Sequence, residues 1–94
     1  MREASIEGSC RAYALARGVP SIKLQSGVAG DPDRGFLLPE RRIWLVEFKT
    51  PTGRLSPRQV VRHAELARVG HVVSVIRSTR VFKEALDLML GATA

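Results

Sequence analysis

The chain has 94 residues, 45% hydrophobic and 26% charged, which suits one globular domain over residues 1–94 and excludes long disorder. Charges interrupt every apolar run and the amino end lacks the apolar segment of a secretory signal, so no membrane span is expected and the cytoplasm is the expected location. Fifteen Lys and Arg against nine Asp and Glu give a net charge of +6, a balance that favours a polyanionic partner, of which nucleic acid is the commonest. Cys10 is the sole cysteine, so no internal disulfide can form, and a small buried residue is expected there.

Residues 3–17 predict a helix, with Ile6, Cys10, Tyr13 and Ala14 on one stripe and Gly18 as the stop. Residues 21–26 predict a short strand in which Ile22 and Leu24 alternate with polar neighbours. Two glycines and a proline make 27–32 a loop. Residues 33–38 and 43–49 predict a hairpin turning around Pro39-Glu40-Arg41. The near-continuous apolar run of its second strand predicts cover on both faces. Ser56, Pro57 and Gln59 then mark a helix start with a capping box, and Gly70 its end. Residues 71–77 form a β-branched strand, and Ser78 or Thr79 caps a last helix to about Leu90.

The predicted order is α-β-β-β-α-β-α. A strand–helix–strand unit from Ile43 to Arg77 implies a parallel crossover. Added to the preceding hairpin, it predicts an α/β fold with a mixed sheet flanked by helices on both faces.

A hairpin centred on Glu40 pairs positions that add to 80, a rule that Asp33 and Glu47 satisfy. Opposed side chains stand about 4.5–5.5 Å apart at Cβ, and like charges there need an offset. A divalent cation supplies one, and carboxylate oxygens suit magnesium or manganese. Lys49 lies two residues after Glu47 on the same strand face, where an ammonium can polarise water and offset charge building on a phosphate. Taken singly, Glu47-Phe48-Lys49 also reads as a charged strand end and Gly30-Asp31-Pro32-Asp33 as a turn.

Together the segments say more. Gly30-Asp31-Pro32-Asp33-Arg34 opens one strand and Val46-Glu47-Phe48-Lys49 closes the next. Gly53-Arg54-Leu55-Ser56-Pro57-Arg58-Gln59 starts a helix, and Gly70-His71-Val72-Val73-Ser74-Val75 leads a later strand. In order and spacing this resembles the VRR-NUC family, a branch of the PD-(D/E)XK nuclease superfamily, over nearly the whole chain.

The resemblance implies a restriction-endonuclease-like fold and a magnesium- or manganese-dependent endonuclease. The implied substrate is branched DNA such as four-way (Holliday) junctions, cut by a stand-alone phage or bacterial homodimer. Asp33, Glu47 and the main-chain carbonyl of Phe48 would bind the metal, and Lys49 would be the catalytic lysine. Gln59 would reach toward the site, although the capping box alone also accounts for it. Glu7, or else Glu3, would be the glutamate that the first helix contributes. Asp31 departs from the family pattern, which has an apolar residue there.

Arg54, Arg58 and Arg62 repeat every four residues near Gln59, where they could hold DNA phosphates or simply be solvated. His63, one turn after Gln59, borders the expected site. Trp44, mid-strand, is expected in the core. The broad apolar stripe of the last helix, from Val81 to Leu90, is expected to leave a surplus for a second copy. The competing reading is a non-catalytic DNA-binding or assembly module that retains the nuclease fold.

Overall fold

In the computed structural model, which describes residues 2–91, the elements run α1 (Glu3–Ala16), β1 (Ser21–Lys23), β2 (Arg34–Leu38), β3 (Arg42–Phe48), α2 (Pro57–Arg68), β4 (Val73–Ile76) and α3 (Thr79–Gly91). This is the predicted order. The strands make one sheet, β1-β2-β3-β4. The pairs β1–β2 and β2–β3 are antiparallel, and α2 carries the chain across to a β4 parallel to β3.

Side-chain alternation divides the sheet. Phe36 and Leu38 of β2 and Trp44, Val46 and Phe48 of β3 are buried with Ile6, Cys10 and Ala14 of α1 and Phe82 and Leu86 of α3. Spacing of four along α1 and α3 puts these groups on one helical face, which is why both helices cover the same side of the sheet. At the centre Trp44 stacks on Phe82 with ring centroids 4.9 Å apart. Its indole N–H donates to Ser74 Oγ at 2.8 Å, so this core tryptophan leaves no polar group unmet.

The opposite face is less covered than predicted. Only α2 lies there, and it buries none of its residues fully. It shields Glu47 and part of Leu45, while Ile43 at the hairpin end is 52% exposed and Ile22 and Leu37 are exposed beside it. Part of the exposed apolar surface therefore sits on this face, while Leu15, Val60, Val61, Val69, Val72 and Leu88 are exposed elsewhere. Most of the α3 stripe is absorbed by the chain's own core, leaving Val81 and Leu88 outside.

Two strands are shorter than expected, each for a local reason. β1 stops at Lys23, because Ser26 Oγ accepts from the Val28 N–H and donates to Asp31, turning the chain away from the sheet. His71 belongs to the end of α2: Gly70, at φ 96°, donates to the Ala67 carbonyl, and the His71 N–H to that of Leu66. These bonds satisfy the last helical carbonyls in a Schellman arrangement.

The hairpin turn is held by unfavourable residues. Glu40 and Arg41 take φ 64° and 63°, the left-handed region that side chains with a Cβ resist. Replacing them by Asn and Gly relieves that conformation. We expect Glu40→Asn/Arg41→Gly to raise the chain's stability by about 1 kcal/mol, read as a higher urea midpoint. An unchanged or lower midpoint counts against the strain.

Candidate active site

The register is the expected one. Arg34 pairs with Val46, Phe36 with Trp44 and Leu38 with Arg42, so Asp33 and Glu47 face each other one step beyond the last ladder pair. Asp33 is tied there on three sides. Its N–H donates to the Val46 carbonyl at 3.1 Å, its carbonyl accepts from Leu24 at 3.0 Å, and its Oδ2 accepts from the Phe48 N–H at 2.7 Å.

The loop before Asp33 is pinned to α2. Gly30, at φ 90°, passes so close that a Cβ would stand 2.5 Å from the Arg58 carbonyl oxygen, so only glycine fits. Asp31 accepts from Arg62 Nε at 2.5 Å and from the Ser26 hydroxyl. The Arg62 hydrogen bond, then that from Ser26, holds the Asp31 carboxyl below its usual range. Asp31 thus ties the loop to α2 through Arg62. Arg62, weighed with Arg54 and Arg58 as a phosphate contact or a solvated charge, is paired with Asp31, leaving Arg54 and Arg58 exposed.

Glu47 is 2% exposed. Its Oε2 accepts from Gln59 Nε2 at 3.0 Å, while its Oε1 has no partner. Burial, and next the charge of Asp33, push the Glu47 carboxyl up to about 8, and the ammonium of Lys49 opposes this. Lys49 is half-buried, fastened by its N–H to the Ile76 carbonyl at 3.0 Å. Gln59 fills both expected roles at once. Its Oε1 accepts from the Ser56 N–H at 2.8 Å, closing the capping box, and its other amide end reaches Glu47. One turn on, His63 Nε2 lies 3.8 Å from Glu47 Oε1, and burial lowers the ring's pKa.

The two first-helix glutamates differ in their partners. Glu7 accepts from Arg34 Nε at 2.6 Å, and Arg34 also donates to Ser21 Oγ. Glu3, one turn earlier, is the first-helix carboxylate whose charge adds to the upward push on Glu47. Sequence reasoning also missed Arg77. Its guanidinium donates to the Thr50 carbonyl at 3.0 Å and to that of Gly53, clamping the loop between Lys49 and α2.

The donor set fits a hard divalent cation. Two facing carboxylates, one carrying a buried oxygen without a hydrogen-bond partner, are relieved either by a proton on Glu47 or by positive charge between them, and oxygen donors suit magnesium or manganese. Among the described residues no three His, Cys, Asp or Glu side chains form a metal cluster. A cation would therefore rest on this carboxylate pair and a main-chain oxygen, for which the Phe48 carbonyl, next after Glu47, is available by position.

A solved structure described as a VRR_NUC domain superposes with a TM-score of 0.81 at 26% identity, covering 90% of this chain and 94% of that one. "Putative nuclease p44" of Acyrthosiphon pisum secondary endosymbiont phage 1 is 38% identical over 79 residues, 83% of this chain and 85% of the relative. This chain belongs to the VRR-NUC family of nucleases. No family model matches it. The VRR-NUC assignment agrees with the order of elements. Among the described residues, no helix of this VRR-NUC chain is long and apolar enough to cross a membrane.

A raised carboxyl pKa has a definite consequence for stability. Protonated Glu47 suits the cation-free fold, so its contribution is complete below the ordinary value of 4.5 and is lost as pH rises through about 8. We expect the melting temperature in chelator to fall between pH 5 and pH 8, with a shallower fall in Glu47→Gln. Manganese should raise it more at pH 8 than at pH 5. Equal slopes for the two proteins would remove Glu47 as the cause.

Proposed function

We propose that the chain is a magnesium- or manganese-dependent endonuclease that hydrolyses phosphodiester bonds in DNA, with Asp33, Glu47 and Lys49 at its centre. The carrying observation is the buried Glu47 facing Asp33, with one oxygen unpartnered and a lysine on the same strand face. Asp33, Glu47 and the Phe48 carbonyl would hold the cation, which when bound would supply Lewis acidity toward a phosphate oxygen and the attacking water. Lys49 offsets charge that builds on the phosphate in the transition state. The Phe48 N–H orients Asp33, and Gln59 orients Glu47. We assign the supporting glutamate of α1 to Glu3, since Glu7 is taken up by Arg34.

The net charge of +6 and the exposed Arg54 and Arg58 suit a polyanion approaching from the side of α2's first turn. Phosphate contacts of this kind position DNA without reading its sequence. We infer that branched DNA, four-way junctions in particular, is the substrate and that a homodimer acts on it. A two-fold pair of chains presents two such sites to two strands. The exposed apolar sheet face around Ile22, Leu37 and Ile43 supports this assembly better than α3 does.

Cleavage of linear, flap and four-way substrates should vanish in chelator and return with magnesium or manganese. Under single-turnover conditions at saturating protein, Lys49→Ala should cut roughly 10²–10³ times more slowly with little change in DNA affinity. Activity in excess chelator, or a wild-type rate for a folded Lys49→Ala, refutes the assigned site. In sedimentation, the chain should run near twice its 10.3 kDa mass. Ile43→Glu should return it to a single copy, and a wild-type chain that stays single at every concentration overturns the dimer.

A further inference from the structure

Helix α2 turns two side chains toward Glu47. Gln59 and His63, four residues apart, share one helix face. Gln59 Nε2 donates to Oε2 at 3.0 Å. His63 Nε2 stands 3.8 Å from Oε1. Both of the latter atoms are buried, and neither has a hydrogen-bond partner. Buried polar atoms in folded proteins are nearly always paired, so two that face each other unpaired need an account. The gap is somewhat under about 1 Å longer than an ordinary N–H···O bond. A modest rotation of either side chain closes it. His63 is 12% exposed at its side chain, so bulk water offers it little alternative.

We propose that His63 is a positioning residue for Glu47, donating from Nε2 to Oε1 when the carboxylate pair carries a divalent cation, as Gln59 donates to Oε2. The inference rests on the reading that Asp33 and Glu47 hold such a cation. A carboxylate offers about four lone-pair directions over its two oxygens. Donors from α2 take one on each oxygen and fix the plane of the group. The remaining directions stay open toward Asp33. Partners of this kind behind a metal ligand commonly alter metal affinity about 10–100-fold. His63 thereby acts through Glu47 and touches no reacting atom.

The test is manganese binding by the whole chain, followed by electron paramagnetic resonance. His63→Leu should weaken binding about 10-fold, whereas His63→Gln, whose amide can still reach Oε1, should stay within about 3-fold of wild type. Melting curves in chelator check folding. If His63→Leu melts early, His63→Asn takes its place, since its shorter amide cannot reach and should bind as weakly as the leucine variant. Wild-type affinity in the folded Leu or Asn variant overturns the proposal. So does a ¹⁴N hyperfine coupling from His63 in the bound manganese spectrum, because the ring is then a direct ligand. Glu47→Gln separates the two levels of the argument. If it binds manganese as wild type does, the cation reading fails and the His63 role with it. If it loses binding while the His63 variants do not, only the His63 role fails.

Discussion

A carboxylate taken out of water beside another carboxylate is the arrangement on which this molecule turns. Glu47 sits 2% exposed opposite Asp33, and neither burial nor like charge favours its ionised form. The surrounding elements tolerate it by supplying donors. The β2–β3 register sets the two groups face to face, the Phe48 N–H holds Asp33, and α2 presents Gln59 and His63. Such a pair is poor as a stabilising device. The aromatic cluster of Phe36, Trp44, Phe48 and Phe82 on the far face keeps the strands rigid beneath it.

The basic charge is less available than its total implies. Arg34 is engaged by Glu7, Arg62 by Asp31, Arg42 by the Pro39 and Met89 carbonyls, and Arg77 by the loop after Lys49. These arginines act as internal braces between segments far apart in sequence. A planar guanidinium with several fixed donors suits that use better than an ammonium does. Arg54 and Arg58 stay exposed near the start of α2, and Arg2, Arg11, Lys23, Arg41, Arg68 and Lys83 are exposed elsewhere on the surface.

Much of this was legible before any coordinates. A hairpin has only one free parameter, its register, and the turn residues around Glu40 set it, so Asp33 and Glu47 could be placed opposite one another by counting. The α2 start announced itself because Ser56, Pro57 and Gln59 each answer a different need of a helix terminus. Other features were hidden for equally physical reasons. Glu3 and Glu7 stand one turn apart on the same helix, and periodicity cannot say which of them a partner from β2 will capture. Arg62 shares its spacing with Arg54 and Arg58, yet its fate depends on a loop folding back through Gly30. The open sheet face escaped notice because a run of apolar residues in β3 shows what could be buried, and only the lie of α2 decides what is.

The amide of Gln59 is used at both ends, its oxygen on the Ser56 N–H and its nitrogen on Glu47. Capping boxes in general accept glutamate or glutamine at this place, because either offers an oxygen to the backbone. Here that freedom disappears. A glutamate would cap α2 equally well and set a third negative group against two that already repel. The helix would not register the exchange, but the pocket would. Local folding rules alone would therefore let this position drift between the two residues, while the chemistry next to it permits one.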